Sequence, residues 1–302
     1  MTVPYRGRFA PTPSGPLHFG SLVAAVGSYL EAKSRGGQWH LRIDDLDPPR
    51  IVTGAADAIL RALEAFGFDW DGPIGFQSAR VQSYHAAFHQ LRLRRAVYPC
   101  ACSRREIAAS AVAGSEGPIY PGICRQGLPP GKAARAWRLN VSQARVEFDD
   151  GLLGSRQHDL PSEAGDFVVY RADGVYAFHL ASAVDDAEQG ITDVVRGSDL
   201  LESSARQIYV QRVLGLRHPR YVHLPVAINA QGEKLSKQTH AAPLDLDNPV
   251  PQLCTVLKFL NQEVPADLGT ADLQTFWRHA IGTWHLHRVG ARLQAPAPEG
   301  PK

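Results

Sequence analysis

The chain has 302 residues, of which 44% are hydrophobic and 21% are charged. These values are typical of a globular protein with a sizeable core and exclude a disordered chain. With 32 basic and 30 acidic side chains the formal net charge is only +2, so contact with nucleic acid would depend on local basic patches. No hydrophobic signal region and no run of about 18 apolar residues is present, so we expect a cytoplasmic protein.

Predicted strands and helices alternate in the first part of the chain. The strand YRGRFAP precedes apolar residues at helical spacing from Leu22 onward, and the strand QWHLRI precedes a second helix that begins near Thr53. A third helix is predicted over Ser83–Arg95. This order predicts an α/β fold with a doubly wound parallel sheet, whose ligand lies beyond the carboxyl ends of the strands. The acidic segment DDLDPPR, which begins at Asp44, follows such an end.

The pattern changes after Tyr98. The short runs ARAWRLNV, ARVEFDD, DFVVYR and VYAFHLA are strand-like and are separated by turn residues, which predicts a small inserted α+β module. Strand, turn and helix return in ITDVVRGSDLLESSARQIYVQRVLGL, and two further helices are predicted in PQLCTVLKFLNQ and LQTFWRHAIGTW. We therefore divide the chain into the first half of the nucleotide fold, the inserted module, the second half of the nucleotide fold and a short helical segment: 1–97, 98–185, 186–240 and 241–302.

The loop after the first strand, RFAPTPSGPLHFGSL, combines prolines and glycines with one histidine. The prolines stiffen the turn, whereas Gly15 and Gly20 lack a Cβ and allow a phosphate or a flat ring to approach the backbone. His18 stands at the predicted helix start, where a helix N-terminus favours negative charge and the imidazole can donate to a phosphate oxygen. A proline-rich connector with a surface histidine is the alternative interpretation.

The second basic loop, KLSKQ, follows a predicted strand. Its lysines, Lys234 and Lys237, can place positive charge on the polyphosphate of a nucleotide and stabilise the charge that develops as pyrophosphate departs. Taken alone, the segment also fits a solvated basic loop.

Three of the four cysteines, Cys100, Cys102 and Cys124, lie close together in the sequence. This number and clustering do not suit a disulfide framework in a chain of this length, and metal binding is the better interpretation. Zinc usually takes four ligands in a structural site. Cys254 falls in a predicted amphipathic helix and is assigned to the core, so a fourth ligand must come from elsewhere. Reduced cysteines without a metal are the alternative.

The HFG and KLSKQ motifs, in this order and context, resemble the two signature motifs of class I aminoacyl-tRNA synthetases. Resemblance to the glutamyl branch covers most of positions 7–240, through the segments GRFAPTPSGPLHFGSLVAAVGSYLEAK, LRIDDLDPPR, YPCACS, FHLASAVDD, GITDVVRGSDLL and YVHLPVAINAQGEKLSKQ. More narrowly, the chain resembles the shortened members that lack an anticodon-binding domain. The resemblance implies a monomeric ligase that activates L-glutamate with ATP and Mg²⁺ and transfers it to queuosine in the anticodon of tRNA(Asp).

The resemblance also implies roles for individual residues. Arg8 would pair with a substrate carboxylate, and Asp44, where the family usually has glutamate, would bind the α-amino group. Arg196 would pair with the side-chain carboxylate, and a bidentate guanidinium contact is a physical reason to prefer glutamate over glutamine. The implied glutamate-binding set is Arg8, Phe9, Ala10, Pro11, Thr12, Asp44, Phe178 and Arg196. The implied ATP-binding set is His18, Gly20, Lys234 and Lys237, of which His18 and Lys237 would be catalytic.

Several of these implications have alternatives. Asp44 could cap a loop, and Arg196 could pair with Asp193 or Asp199. Phe178 stands where the family commonly has tyrosine, so a hydroxyl contact is missing. Two other functions also fit the sequence: a truncated synthetase that charges a tRNA 3′ end, and a non-catalytic RNA-binding module.

The family's metal site uses a tyrosine four positions before the last cysteine. The implied ligands of one structural Zn²⁺ are therefore Cys100, Cys102, Tyr120 and Cys124. Basic segments at 92–95, 103–105 and 132–138 flank the insertion and could contact tRNA phosphates, with solvated faces as the alternative.

Overall fold

The computed structural model describes residues 4–110, 112–114, 117–229, 231–235 and 242–298. Its helices are α1 Phe19–Lys33, α2 Ala55–Ala65, α3 Val81–Leu93, α4 Arg104–Ser110, α5 Leu160–Glu163, α6 Phe178–Glu188, α7 Leu201–Leu214, α8 Pro249–Phe259 and α9 Leu273–Thr283. Its strands are β1 Arg6–Phe9, β2 Gln38–Ile43, β3 Gly75–Phe76, β4 Val97–Cys100, β5 Val112–Gly114, β6 Gly117–Ile119, β7 Ala136–Leu139, β8 Arg145–Asp150, β9 Gly154–Asp159, β10 Val168–Tyr170, β11 Asp193–Gly197, β12 Arg220–Leu224, β13 Val226–Ile228 and β14 Gln294–Pro296.

Parallel strands form the centre of the molecule. β1, β2 and β3 pair in parallel, as do β11 and β12, and β8 joins β12 through a pairing of Tyr221 with Asp150. The two groups of strands adjoin where the backbone amide of Thr192 donates to the carbonyl of Arg6 at 2.9 Å. The predicted strand–helix order is present, and α3 begins two residues before the predicted helix.

The region predicted as an insertion contains short strands, as expected. β4, β7 and β10 form an antiparallel sheet, and β8 pairs with β9. The polar strand β9 has no hydrophobic alternation and was not predicted. Because β8 also pairs with β12, a strand of this region extends the parallel sheet. The domain boundaries at 97, 185 and 240 stay predictions.

One predicted strand was wrong. In VYAFHLA only Tyr176 makes a strand-like bridge, to Tyr170, and helix α6 begins at Phe178. Of the apolar side chains that suggested alternation, only Leu180 and Ala181 are buried in this helix, whereas Phe178 at its start is exposed.

The C-terminal helices pack onto the first half of the fold. Trp277 of α9 lies 4.8 Å from Tyr29 and 5.0 Å from Phe68, measured between ring centroids, and its indole nitrogen donates to the carbonyl of Phe66 at 3.0 Å. Cys254 is buried in α8 within the same core, as predicted. Within the described residues, no helix combines the length and the apolar character that crossing a membrane requires.

Candidate active site

A cavity of about 820 Å³ opens where the central strands end. Arg8 lies near the end of β1, Asp44 directly follows β2, and Arg196 lies near the end of β11. This is the position that a doubly wound sheet provides for its ligand. The cavity is lined by the predicted residues Arg8, Phe9, Ala10, Pro11, Thr12, His18, Gly20, Asp44, Phe178, Arg196 and Lys234. The remaining predicted residue of this site, Lys237, lies outside the described residues.

The two predicted nucleotide segments meet at this cavity. His18 directly precedes the first turn of α1 and has an extended backbone. A Cβ atom on Gly20 would lie 3.1 Å from the His18 ring and 3.4 Å from the carbonyl oxygen of Leu235, so glycine permits this close approach. Lys234, next to Leu235, forms an ion pair of 2.6 Å with Asp199.

A buried network of charges supports the wall formed by Arg8 and Asp44. Arg8 donates to both carboxylate oxygens of Asp186 at 3.2 and 3.3 Å. Arg42 donates to Asp44 at 2.7 Å and to Asp186 at 2.8 Å. Each of these four side chains is at most 5% exposed. The side chain of Asp44 thus pairs with Arg42, and within the described chain it does not cap a loop.

The two carboxyl groups of this network, Asp186 and Asp44, differ in pKa. Burial alone would raise the pKa of Asp186, but Arg8 and Arg42 lower it to about 2. Burial raises the pKa of Asp44 to about 6 in spite of the opposing effect of Arg42. The ion pair with Arg42 thus favours the ionised form of Asp44 against the effect of burial.

Arg196 has no carboxylate partner within the described chain, and neither of the alternatives from the sequence is present. Asp193 pairs with Arg220 at 2.7 Å, and Asp199 pairs with Lys234. Arg196 instead donates to the Ser204 hydroxyl at 2.6 Å. Burial lowers the pKa of Arg196 to about 10, so it stays charged at neutral pH. Its charge is therefore available to an anion in the cavity.

Sequence reasoning missed several polar residues of the cavity, among them His179 and Ser182 of α6. Ser182 Oγ and His179 Nδ1 are buried without a hydrogen-bond partner in the described part of the chain. Had FHLAS been predicted as a helix, its spacing would have placed Ser182 on the same face as Phe178, which was already a predicted site residue. Phe178, 38% exposed, contributes no hydroxyl.

The cysteine cluster lies apart from this cavity. The sulfur atoms of Cys100, Cys102 and Cys124 all lie within 4.8 Å of one another, and the Tyr120 hydroxyl lies 3.5 Å from the sulfurs of Cys100 and Cys102. Zn–S bonds of about 2.3 Å in a tetrahedral site place sulfurs about 3.8 Å apart. The observed donors therefore fit a tetrahedral Zn²⁺.

Arg138 packs against this cluster. Its guanidinium carbon lies 3.9 Å from the centre of the Tyr120 ring, and its Nε donates to Cys100 Sγ at 3.3 Å. The basic segment 132–138 was predicted as a possible phosphate-binding patch, but Arg138 is buried and does not belong to such a surface. Arg104 and Arg105, also predicted, are exposed.

Comparison with known proteins agrees with this geometry. Residues 4–247 match the family of class I tRNA synthetases (E and Q), catalytic domain. The chain is 54% identical to the glutamyl-Q tRNA(Asp) synthetase of Aromatoleum aromaticum, over 98% of this chain and 93% of that protein. The chain belongs to the glutamyl-Q tRNA(Asp) synthetase family. It is also 53% identical to the Chromobacterium violaceum member, over 97% and 98% of the two chains.

A solved structure extends the comparison. The glutamate tRNA ligase of Elizabethkingia meningosepticum, determined in complex with its amino acid, is similar with a TM-score of 0.81 and 25% identity, over 98% of this chain and 67% of that one. The predicted family and the α/β class I synthetase fold are therefore confirmed.

The partly buried His179 of the cavity makes stability depend on pH. Burial, aided by Arg206 and Arg196, lowers the pKa of His179 from 6.5 to about 3. Between these values only the unfolded chain gains this proton, so acidification from pH 6.5 should lower the free energy of unfolding by up to ~1.4 kcal/mol per pH unit. His179→Gln should remove this contribution in urea titrations at pH 7, 6 and 5. The exposed His89→Gln is the control, and equal slopes in both variants would contradict the prediction.

Proposed function

We propose that this chain activates L-glutamate with ATP as glutamyl-adenylate and transfers the glutamyl group to queuosine in the anticodon of tRNA(Asp). Both nucleotide segments and the buried guanidinium of Arg196, which has no carboxylate partner within the described chain, lie at one cavity. This observation supports the proposal most directly. The family membership supports the same ligase activity. In this proposal the chain acts as a monomer.

Activation is an in-line displacement at the α-phosphorus of ATP. A carboxylate oxygen of glutamate forms the new P–O bond, and the bond to the pyrophosphate oxygen breaks. His18 at the N-terminus of α1 donates to a phosphate oxygen, and Lys234 and Lys237 stabilise the charge on the departing pyrophosphate. Mg²⁺, when bound with ATP, neutralises further phosphate charge. Transfer follows when a hydroxyl of the queuosine ring attacks the glutamyl carbonyl carbon and AMP leaves.

Selection of the amino acid depends on charge. In the proposal Asp44 binds the α-ammonium, Arg8 contributes to carboxylate binding from the same wall, and Arg196 pairs with the side-chain carboxylate. Glutamine would bring a neutral amide to Arg196 and leave a buried charge without its anionic partner, which is unfavourable. Orientation and charge stabilisation supply most of the catalysis.

Arg196→Cys tests the selection of glutamate. The variant should raise the KM for glutamate by roughly 100-fold and reduce the preference for glutamate over glutamine, since one charge-assisted contact is worth about 1.5–3 kcal/mol. ATP–pyrophosphate exchange with each amino acid measures both quantities. Arg220→Cys, on the adjacent strand and 71% exposed, is the matched control. Unchanged discrimination in Arg196→Cys would remove this role.

The acceptor is tested with labelled glutamate, ATP and Mg²⁺. We expect adenylate without RNA, and label on tRNA(Asp) that depends on queuosine but persists when the 3′-terminal adenosine is removed. Label that requires the terminal adenosine and ignores queuosine would favour a truncated synthetase that charges the 3′ end. No adenylate would favour a non-catalytic RNA-binding module.

We also propose that Cys100, Cys102, Tyr120 and Cys124 hold one Zn²⁺, which when bound cross-links β4 to the segment after β6. Metal analysis of the purified chain should give about one zinc per molecule, as a four-ligand structural site requires. Cys124→Ser should lose the metal and lower the melting temperature, because metal binding contributes to folding. Cys254→Ser should keep the metal. Equal zinc in both variants would contradict this assignment.

A further inference from the structure

Four buried side chains form a continuous hydrogen-bonded series behind the cavity. Arg196 Nη2 lies 2.6 Å from Ser204 Oγ, Ser204 Oγ lies 2.8 Å from His223 Nε2, and His223 Nδ1 lies 2.6 Å from Asp150 Oδ2. Ser204 and His223 are fully buried, and Asp150 and Arg196 are each 5% exposed. They come from α7, β12, β8 and β11, so the fold alone brings them together.

The groups at the two ends of this hydrogen-bonded series determine which atoms donate and which accept. Burial alone would raise the pKa of Asp150, but hydrogen bonding to His223 lowers it below its usual value, so the carboxylate is ionised and can only accept. The proton of the neutral imidazole therefore lies on Nδ1, and Nε2 accepts. The Ser204 hydroxyl donates to Nε2, its nearer acceptor at 2.8 Å against 3.2 Å for the carbonyl of Leu200, and the Ser204 oxygen accepts from Arg196. In each hydrogen bond of the series, the donor thus lies on the Arg196 side and the acceptor on the Asp150 side.

The arrangement resembles a serine–histidine–aspartate triad, but its position excludes nucleophilic catalysis. Ser204 does not line the cavity, whereas its neighbour Ser203 does. The Ser204 hydroxyl is fully buried and is engaged by Arg196, His223 and the carbonyl of Leu200 at 3.2 Å. No substrate atom reaches it. Of the four side chains, Arg196 lines the cavity. The other three can therefore affect a ligand only through Arg196.

The partners of the Arg8 and Arg196 guanidinium groups differ in charge. Arg8 is neutralised directly by Asp186, with both carboxylate oxygens engaged. For Arg196 the negative charge of Asp150 is held one imidazole and one hydroxyl away, and only neutral groups contact the guanidinium within the described chain. A direct carboxylate would compete with an anionic ligand, whereas a hydroxyl and an imidazole orient the guanidinium and leave its charge uncompensated at the cavity.

We infer that Asp150, His223 and Ser204 are positioning residues that orient Arg196 toward the side-chain carboxylate of glutamate and thereby determine the selectivity of the enzyme. The inference rests on the proposed function. It also assigns a role in amino-acid recognition to β8, a strand of the segment predicted as the inserted module. Asp150 is itself held in place, because its Oδ1 accepts from the amides of Leu152 and Leu153 at 3.0 and 2.9 Å.

Asp150→Asn is the decisive variant, because it removes the charge and keeps the shape. An amide NH₂ next to Nδ1 favours the other imidazole tautomer, whose Nε2–H then faces the Nε–H of Arg196 at the present distance of 3.5 Å. We expect the KM for glutamate to rise about tenfold with kcat largely retained, and the preference over glutamine to fall. The adjacent, exposed Asp149→Asn is the matched control and should behave as wild type.

Two further measurements separate positioning from a merely structural role. ¹⁵N NMR of histidine-labelled protein should show the Nδ1–H tautomer of His223 in wild type and the Nε2–H tautomer in Asp150→Asn. Ser204→Ala, a small change inside the core, should raise the KM for glutamate in the same direction. Wild-type kinetics in folded Asp150→Asn and Ser204→Ala would overturn the positioning role alone. Absence of glutamate-dependent exchange in the wild-type protein would overturn the proposed function and this role with it.

Discussion

The site depends on arginine side chains that are held out of water at the ends of parallel strands. Arg8, Arg42 and Arg196 are each at most 5% exposed, and burial of an unpaired charge costs several kcal/mol. Arg8 and Arg42 offset this cost by contact with Asp186, whereas within the described chain Arg196 is contacted only by neutral groups, among them Ser204 and His223. The wall near β1 is thus electrically compensated, and the wall near β11 keeps a positive charge for an anion.

The sheet order explains why these groups meet. β1 and β11 are far apart in sequence but adjoin in the fold, so that Arg8 and Arg196 face one cavity. Helix α1 follows β1 and brings His18 to the same opening, and Gly20 allows the segment of Lys234 to approach it. A nucleotide and an amino acid that must react can therefore be held side by side on backbone that the sheet fixes.

The sequence predicted those features that depend on local pattern. Periodicity identified the strands and helices of the first half, and resemblance to a known family implied many of the residues that line the cavity. Partners distant in sequence could not be predicted, because nothing near Arg196 indicates that His223 and Asp150 lie behind it. In two places tertiary packing outweighed the local pattern. Helix α6 begins with an apolar run that also suits a strand. Arg138, a charged side chain in a basic segment, is buried by packing on Tyr120.

The pairing of Tyr221 with Asp150 has an architectural consequence. The segment between β7 and β10 cannot be regarded as an appendage to a self-sufficient nucleotide fold, because its strand β8 carries Asp150, the carboxylate that holds His223 behind Arg196. Excising that segment would remove the carboxylate partner of the His223 imidazole. A shortened descendant of such a protein would have to retain β8 or find another way to hold this imidazole, and with it the arginine, in place.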